Sequence, residues 1–106
     1  MWLGAHMSIA GGVETAPERG KRATCDIIQI FTKNNNQWSA PPLKEVEIKA
    51  FRENMAKYDI RTAIAHDAYL INLCSQKADL WKQSFHAFVE ELKRAEQLGL
   101  AALVFH

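Results

Sequence analysis

Short apolar runs alternate with helical patterns along the whole chain, and this alternation constrains the fold more than any other feature. The apolar runs cover residues 2–7, 26–31, 62–64 and 100–105. Strands joined by helices in this order form parallel sheets through right-handed crossovers, with the helices packed on the sheet. The sequence therefore predicts an α/β fold with the order β-α-β-α-β-α-β.

Three helical segments are predicted, over residues 13–22, 43–58 and 75–98. The second places Val46 and Phe51 on an apolar face, and the third repeats Trp81 and Phe85 at helical spacing. These side chains are expected to face the core. Gly99 is expected to end the third helix in the left-handed conformation. The first and last strands are expected to be buried.

The length of the chain limits how large this fold can be. A closed (β/α)8 barrel takes roughly 250 residues, whereas this chain has 106 residues, 48% of them hydrophobic. Four strands and three helices correspond to half of such a barrel. We expect residues 1–106 to form one domain, the N-terminal half of the barrel.

Charge, cysteine content and hydropathy exclude some functional classes. The formal net charge of +1 gives no strongly basic field of the kind that attracts nucleic acid at long range. No signal peptide is visible, and no run approaches the roughly 20 apolar residues of a membrane helix. The two cysteines, Cys25 and Cys74, form no metal or disulfide pattern. A cytoplasmic, intracellular protein without a membrane partner is expected.

Histidines follow two successive strands. His66 comes after the third apolar run and His106 after the fourth. The carboxyl ends of parallel strands meet on one side of the sheet, so both imidazoles can bind one metal ion there. Asp67 either orients such a ligand from behind or caps the following turn.

Polar residues follow the second strand, and an aromatic residue follows His66. The amides of Asn34, Asn36 and Gln37 suit contacts with a sugar-phosphate backbone or base edges. The alternative is a solvated loop whose Trp38 folds back onto the core. Tyr69, by itself, is typical of a core side chain that follows a strand.

Four ordered motifs resemble the endonuclease IV family of apurinic/apyrimidinic endonucleases. Residues 3–12, LGAHMSIAGG, are similar to the family's G-A-H-x-S-x-x-G-G, and residues 31–38, FTKNNNQW, to its F-T-K-N-x-x-Q-W. Residues 66–73, HDAYLINL, are similar to H-x-x-Y-L-I-N-L. Residues 96–99, EQLG, with Phe105 and His106, resemble the approach to its F-H-P-G. The resemblance covers almost the whole chain.

This resemblance implies a TIM barrel of the xylose-isomerase-like type with up to three zinc ions. It implies a DNA repair enzyme that cleaves the phosphodiester 5′ to an abasic site and removes 3′ blocking groups. His66 and His106 match two ligands that share one zinc ion, through which they would take part in catalysis. His6 and Ser8 fall at the end of the first strand, where we expect them, like Asp67, to support the ligands without touching the metal.

The resemblance also implies a partner, double-stranded DNA that contains abasic sites. Tyr69 and Leu70 match residues that press into the minor groove at the lesion, where such side chains fill a gap in the stack. Asn34 and Gln37 match the DNA-contacting loop. Asn36 stands where many members carry an arginine, so it offers less attraction for phosphate.

The family's remaining metal ligands belong to strands five to eight. Two histidines cannot close a tetrahedral zinc site, so at most one partial site is expected in this chain. We expect an incomplete fragment with little activity alone, completed by a C-terminal half or a second chain. The alternatives are a sugar isomerase or epimerase of the same superfamily, and a non-catalytic DNA-binding or assembly module.

Overall fold

The computed structural model describes residues 1–106 and contains four strands, three α-helices and one 3-10 helix. In chain order they are β1 (Gly4–His6), the 3-10 helix (Val13–Thr15), α1 (Ala16–Arg22), β2 (Ile27–Ile30), α2 (Glu45–Lys57), β3 (Thr62–His66), α3 (Ala78–Leu98) and β4 (Leu103–Val104).

The four strands form one sheet in the order β1-β2-β3-β4, and every neighbouring pair is parallel. Strand order that follows chain order is the arrangement of a barrel wall, since each crossover adds one strand in the same direction. Gly4 pairs with Ile27, and a side chain at Gly4 would collide with the Ile27 carbonyl. The predicted half-barrel is confirmed.

The two faces of the sheet differ in burial because side chains alternate along each strand. One face packs under the helices and contributes buried residues to the core: Ile28, Ile30, Ala63 and Ala65. Phe51 of α2 packs into this core and is 1% exposed. The other face, with Ile27, Gln29, Thr62 and Ile64, is only half-buried and lines an open depression of about 280 Å³. It corresponds to the inner wall of a barrel.

The prediction that the first and last strands are buried is wrong. All three residues of β1 are exposed, and in β4 Leu103 is half-buried while Val104 is exposed. Each of these strands lies at an edge of the sheet with a neighbour on one side only. Apolar composition alone does not distinguish an edge strand from a central one.

The core face predicted for α3 is wrong at Trp81 and Phe85. Trp81 and Phe85 are exposed and stack on each other, with ring centroids 5.5 Å apart. The buried face of the helix includes Ser84, which directly precedes the predicted Phe85. Most of its side chains are small, and its members are Ser84, Ala87, Glu91, Ala95 and Leu98. Small residues let the helix axis approach the sheet closely, whereas large aromatic side chains do not fit there. Val46 of α2 is likewise exposed.

The ends of α3 follow local rules. Gly99 has a φ of 72°, and the Leu100 N–H donates to the Ala95 carbonyl, as expected for a glycine-terminated helix. The helix begins at Ala78, three residues later than the sequence pattern predicted. No helix in the chain combines the length and the apolar character needed to cross a membrane. Cys25 and Cys74 are both free thiols.

Candidate metal and nucleic-acid site

Three histidines meet at the carboxyl end of the sheet. His6 ends β1, His66 ends β3, and His106 follows β4. Their side chains lie at one end because the strands are parallel and in register, with His6 opposite Gln29 and His66 opposite Val104. The rings of His66 and His106 are 4.8 Å apart between centroids.

The two histidines predicted as metal ligands point their Nε2 atoms at each other, 2.9 Å apart. His66 Nδ1 lies 2.8 Å from the Asp67 backbone carbonyl oxygen. A carbonyl only accepts, so Nδ1 carries the proton, and in neutral His66 the Nε2 lone pair faces His106. Facing imidazole nitrogens either share a proton or share a metal ion. Tetrahedral zinc would need about 3.3–3.4 Å between the nitrogens, a small movement.

No group of three or more His, Cys, Asp or Glu side chains in this chain is arranged so that it could hold a metal ion. Asp67 is the nearest carboxylate. It is fully buried, its Oδ1 lies 3.6 Å from His66 Nδ1, and its Oδ2 has no hydrogen-bond partner. Burial raises the pKa of Asp67, and the two neighbouring histidines oppose that rise.

His6 is held differently from the other two histidines. The Gln29 side-chain amide donates to His6 Nδ1 at 3.0 Å, which places the proton of neutral His6 on Nε2. Burial, and then the proximity of His66, lowers the pKa of His6. Ser8 forms local bonds, since its Oγ accepts from the Ala10 N–H at 3.1 Å. Of His6 and Ser8, His6 is the one whose side chain lies in the histidine cluster.

Phe31 stands at the centre of this cluster, and the sequence did not single it out. Its ring centroid lies 4.5 Å from that of His6, 5.7 Å from that of His66 and 5.4 Å from that of Tyr69. The sequence placed it at the end of the second apolar run and at the start of the motif of residues 31–38, but indicated no contact with the histidines. Phe31 links the two histidines to the ring of Tyr69 through aromatic contacts.

The polar loop after β2 and the segment after His66 lie side by side. Asn34, Asn36 and Gln37 are exposed, and the Asn36 N–H donates to Asn34 Oδ1 at 2.9 Å. The Tyr69 N–H donates to the Asn35 carbonyl at 3.2 Å, which joins the two segments. The fold thus brings together residues that are far apart in the sequence.

The positions of two side chains in these segments bear on the alternatives that the sequence left open. Trp38 does fold back, packing beside the small cluster of Ala68 and Ile71. Tyr69 is not a core residue, because it is 65% exposed. Leu70, its neighbour, is half-buried. The carboxyl end of the sheet therefore presents an aromatic ring beside a loop of amide side chains.

Charged residues beneath this surface were also missed. Lys33 and Glu91 are buried, and Arg94 of α3 donates to the Thr32 and Pro41 carbonyls at 3.1 and 2.9 Å. A signal for Glu91 did exist, since a lone acidic residue interrupts a line of small residues at helical spacing. That signal could be interpreted only after the buried face of α3 was known.

Residues 17–106 match the family model described as xylose isomerase-like TIM barrel. The chain belongs to this family. The match covers nearly all of α1 and every later element, so the strands β2 to β4, with His66 and His106, lie in the matched part of the chain.

The similar proteins are named endonuclease 4 or endonuclease IV, which is the family that the four sequence motifs resemble. The chain is 44% identical over 105 residues to probable endonuclease 4 of Geotalea daltonii, covering 99% of this chain and 37% of the relative. It is 46% identical to probable endonuclease 4 of Geobacter sulfurreducens, covering 99% and 36%. The crystal structure of endonuclease IV from Thermus thermophilus superposes with a TM-score of 0.93 at 32% identity, over 100% of this chain and 40% of that one.

The resemblance to endonuclease IV is therefore confirmed, and the chain corresponds to less than half of these proteins. The similarity extends over the strands that carry His6, His66 and His106 and over both surface segments.

Proposed function

We propose that this chain forms the N-terminal part of a zinc-dependent apurinic/apyrimidinic endonuclease that acts in DNA repair inside the cell. The observation that carries the proposal is the convergence of His66 and His106, whose Nε2 atoms lie 2.9 Å apart beside an exposed aromatic ring. The endonuclease 4 names of the relatives support the same activity.

In this proposal, His66 and His106 hold one zinc ion as neutral imidazoles. The Asp67 carbonyl fixes the tautomer of His66 and keeps its ring oriented. The buried Asp67 carboxylate adds negative charge behind that ligand. When bound, zinc supplies Lewis-acid stabilisation of charge on a phosphodiester and makes water acidic enough to ionise near neutral pH. The complete enzyme would hold up to three such ions, with the other ligands outside this chain.

The proposed substrate is double-stranded DNA with an abasic site. Two surface segments, residues 34–37 and residues 69–70, would contact it, and we call them the DNA-contact segments. Tyr69 and Leu70 would fill the gap left by the missing base, offsetting the few kcal/mol that unstacking costs. Asn34, Asn36 and Gln37 would contact the backbone or base edges.

Strand nicking tests the proposal. A duplex with one synthetic abasic site would be incubated with zinc, with and without chelator, first with this chain and then with a complete barrel that includes it. We expect chelator-sensitive cleavage 5′ to the lesion by the complete barrel, and little by residues 1–106 alone, because two histidines do not close a zinc site. A complete barrel that leaves the abasic duplex intact would contradict the proposed activity.

Replacing Tyr69 with alanine tests the DNA surface. We expect affinity for an abasic duplex to fall about tenfold or more, because one aromatic stacking contact is worth about 1–3 kcal/mol. Affinity for undamaged duplex should change less, since there is no gap for the ring to fill. The measurement is a fluorescence-anisotropy titration with both duplexes.

Tyr69→Phe is the matched control. This variant keeps the aromatic ring that packs against Phe31 and removes only the hydroxyl. It should therefore bind the abasic duplex nearly as well as the native protein. Equal losses in Tyr69→Phe and Tyr69→Ala would show that the hydroxyl, rather than stacking, makes the contact.

The open inner face and edges of the half-barrel favour one further proposal about partners. We propose that a second chain, or further residues of the same polypeptide, supplies the remaining strands. The half-buried face around Ile27 and Ile64 would then become the interior of the barrel. Native mass spectrometry distinguishes a complete barrel made by two copies of residues 1–106 from one that needs different residues.

A further inference from the structure

A buried pair of opposite charges lies beneath the DNA-contact segments. Lys33 is 6% exposed and Glu91 is 2% exposed, and Lys33 Nζ lies 3.6 Å from Glu91 Oε1. Burial raises the pKa of Glu91 and lowers that of Lys33, because each charge loses hydration, while the partner's charge opposes the shift. Buried ion pairs are often no more stabilising than apolar side chains of similar volume. Stability alone is therefore a weak reason for this pair.

Unlike apolar side chains, the pair binds backbone groups within the segment 34–37 and at Ala68, directly before the segment 69–70. The two carboxylate oxygens of Glu91 accept the Ala68 N–H, at 3.1 and 3.2 Å, just before the exposed aromatic ring. Lys33 Nζ donates to the carbonyl of Asn34 at 3.3 Å and to that of Gln37. The ends of the loop have a separate anchor in Arg94. Between these anchors, Lys33 is the buried side chain that holds the loop from beneath.

We propose that Lys33 and Glu91 are positioning residues that set the place of the loop 34–37 relative to Tyr69. The proposal rests on the proposed function, in which both segments contact the same abasic duplex. The buried pair aligns the two segments from beneath. The Tyr69 N–H then donates to the Asn35 carbonyl at 3.2 Å and joins them directly. The pair touches neither DNA nor metal and acts through the backbone.

The double variant Lys33→Met with Glu91→Leu separates positioning from stability. Both charges are removed together, so no unpaired charge stays buried, but the buried Ala68 N–H loses its acceptor, and we expect a small fall in the thermal midpoint. Amide hydrogen exchange at Ala68 should become about tenfold faster, because its bond to the carboxylate is lost. Exchange at Tyr69 should also become faster, because its acceptor, the Asn35 carbonyl, lies in the loop that Lys33 no longer holds. Exchange in β2 and β3 should not change. Preference for an abasic over an undamaged duplex should fall about tenfold.

The matched control is the exposed pair of Lys93 and Glu90, 3.1 Å apart on the same helix. Lys93→Met with Glu90→Leu removes the same two charges and should alter neither exchange at Ala68 nor the binding preference. Native exchange at Ala68 and Tyr69 in the buried double variant would overturn the proposal. If the native chain shows no preference for the abasic duplex, the proposed function fails, and the exchange rates still decide the positioning role.

Glu91→Gln provides a second variant should the double one fail to fold. Glutamine keeps the volume and one acceptor oxygen but not the charge. We expect near-native exchange at Ala68 and faster exchange in residues 34–37, because Lys33 loses its partner. A pair that only fills space predicts no change in either segment, and that result would also overturn the proposal.

Discussion

Replacing His66 with alanine is expected to lower chelator-sensitive nicking by the complete barrel about 100-fold or more. The variant removes one of two Nε2 atoms that lie 2.9 Å apart, leaving His106 without its partner. Changes to groups that merely orient a metal ligand already cost about 10–100-fold in metal affinity or activity, so loss of a ligand should cost at least as much. Initial rates on an abasic duplex, measured over a range of zinc concentrations, give the comparison.

The chain offers a control for this experiment in His86. This histidine is exposed on α3 and takes no part in the cluster at the carboxyl end of the sheet. His86→Ala should therefore nick at the native rate, and its zinc dependence should be unchanged. Native activity in His66→Ala at every zinc concentration would show that the two converging imidazoles do not hold the catalytic metal.

Replacing Phe51 with alanine is expected to lower the free energy of unfolding by about 3–5 kcal/mol, the usual loss for a buried aromatic residue. Phe51 is the largest fully buried side chain in the chain and packs between α2 and the sheet. Its removal leaves a cavity among the side chains of the core cluster. Urea denaturation followed by circular dichroism measures the change, with the slope checked for two-state behaviour.

Phe85→Ala is the comparison, because the sequence pattern placed both phenylalanines in the core. Phe85 is 45% exposed and contacts mainly Trp81, so its removal should cost about 1 kcal/mol or less. Losses of equal size in the two variants would contradict the assignment of the α3 faces. The pair of measurements thus tests the fold where the sequence pattern was wrong.

Local sequence determined the elements and their order. β-branched runs, helical spacing and Gly99 each act over a few residues, so the strands, the helices and the end of α3 were predicted within a few positions. The positions of His66 and His106 followed from the same reasoning. In a parallel sheet the ends of successive strands must lie together, and the structure places their nitrogens 2.9 Å apart.

Tertiary structure alone decided which faces are buried and which distant residues meet. Along α3, a row of large aromatic residues lies next to a row of mostly small residues. The row of small residues faces the sheet because it allows close packing. The contacts of Phe31 with His6 and Tyr69, and the pairing of Lys33 with Glu91, join residues from separate crossovers. No local propensity encodes such contacts, since they depend on the order and register of the strands in the sheet.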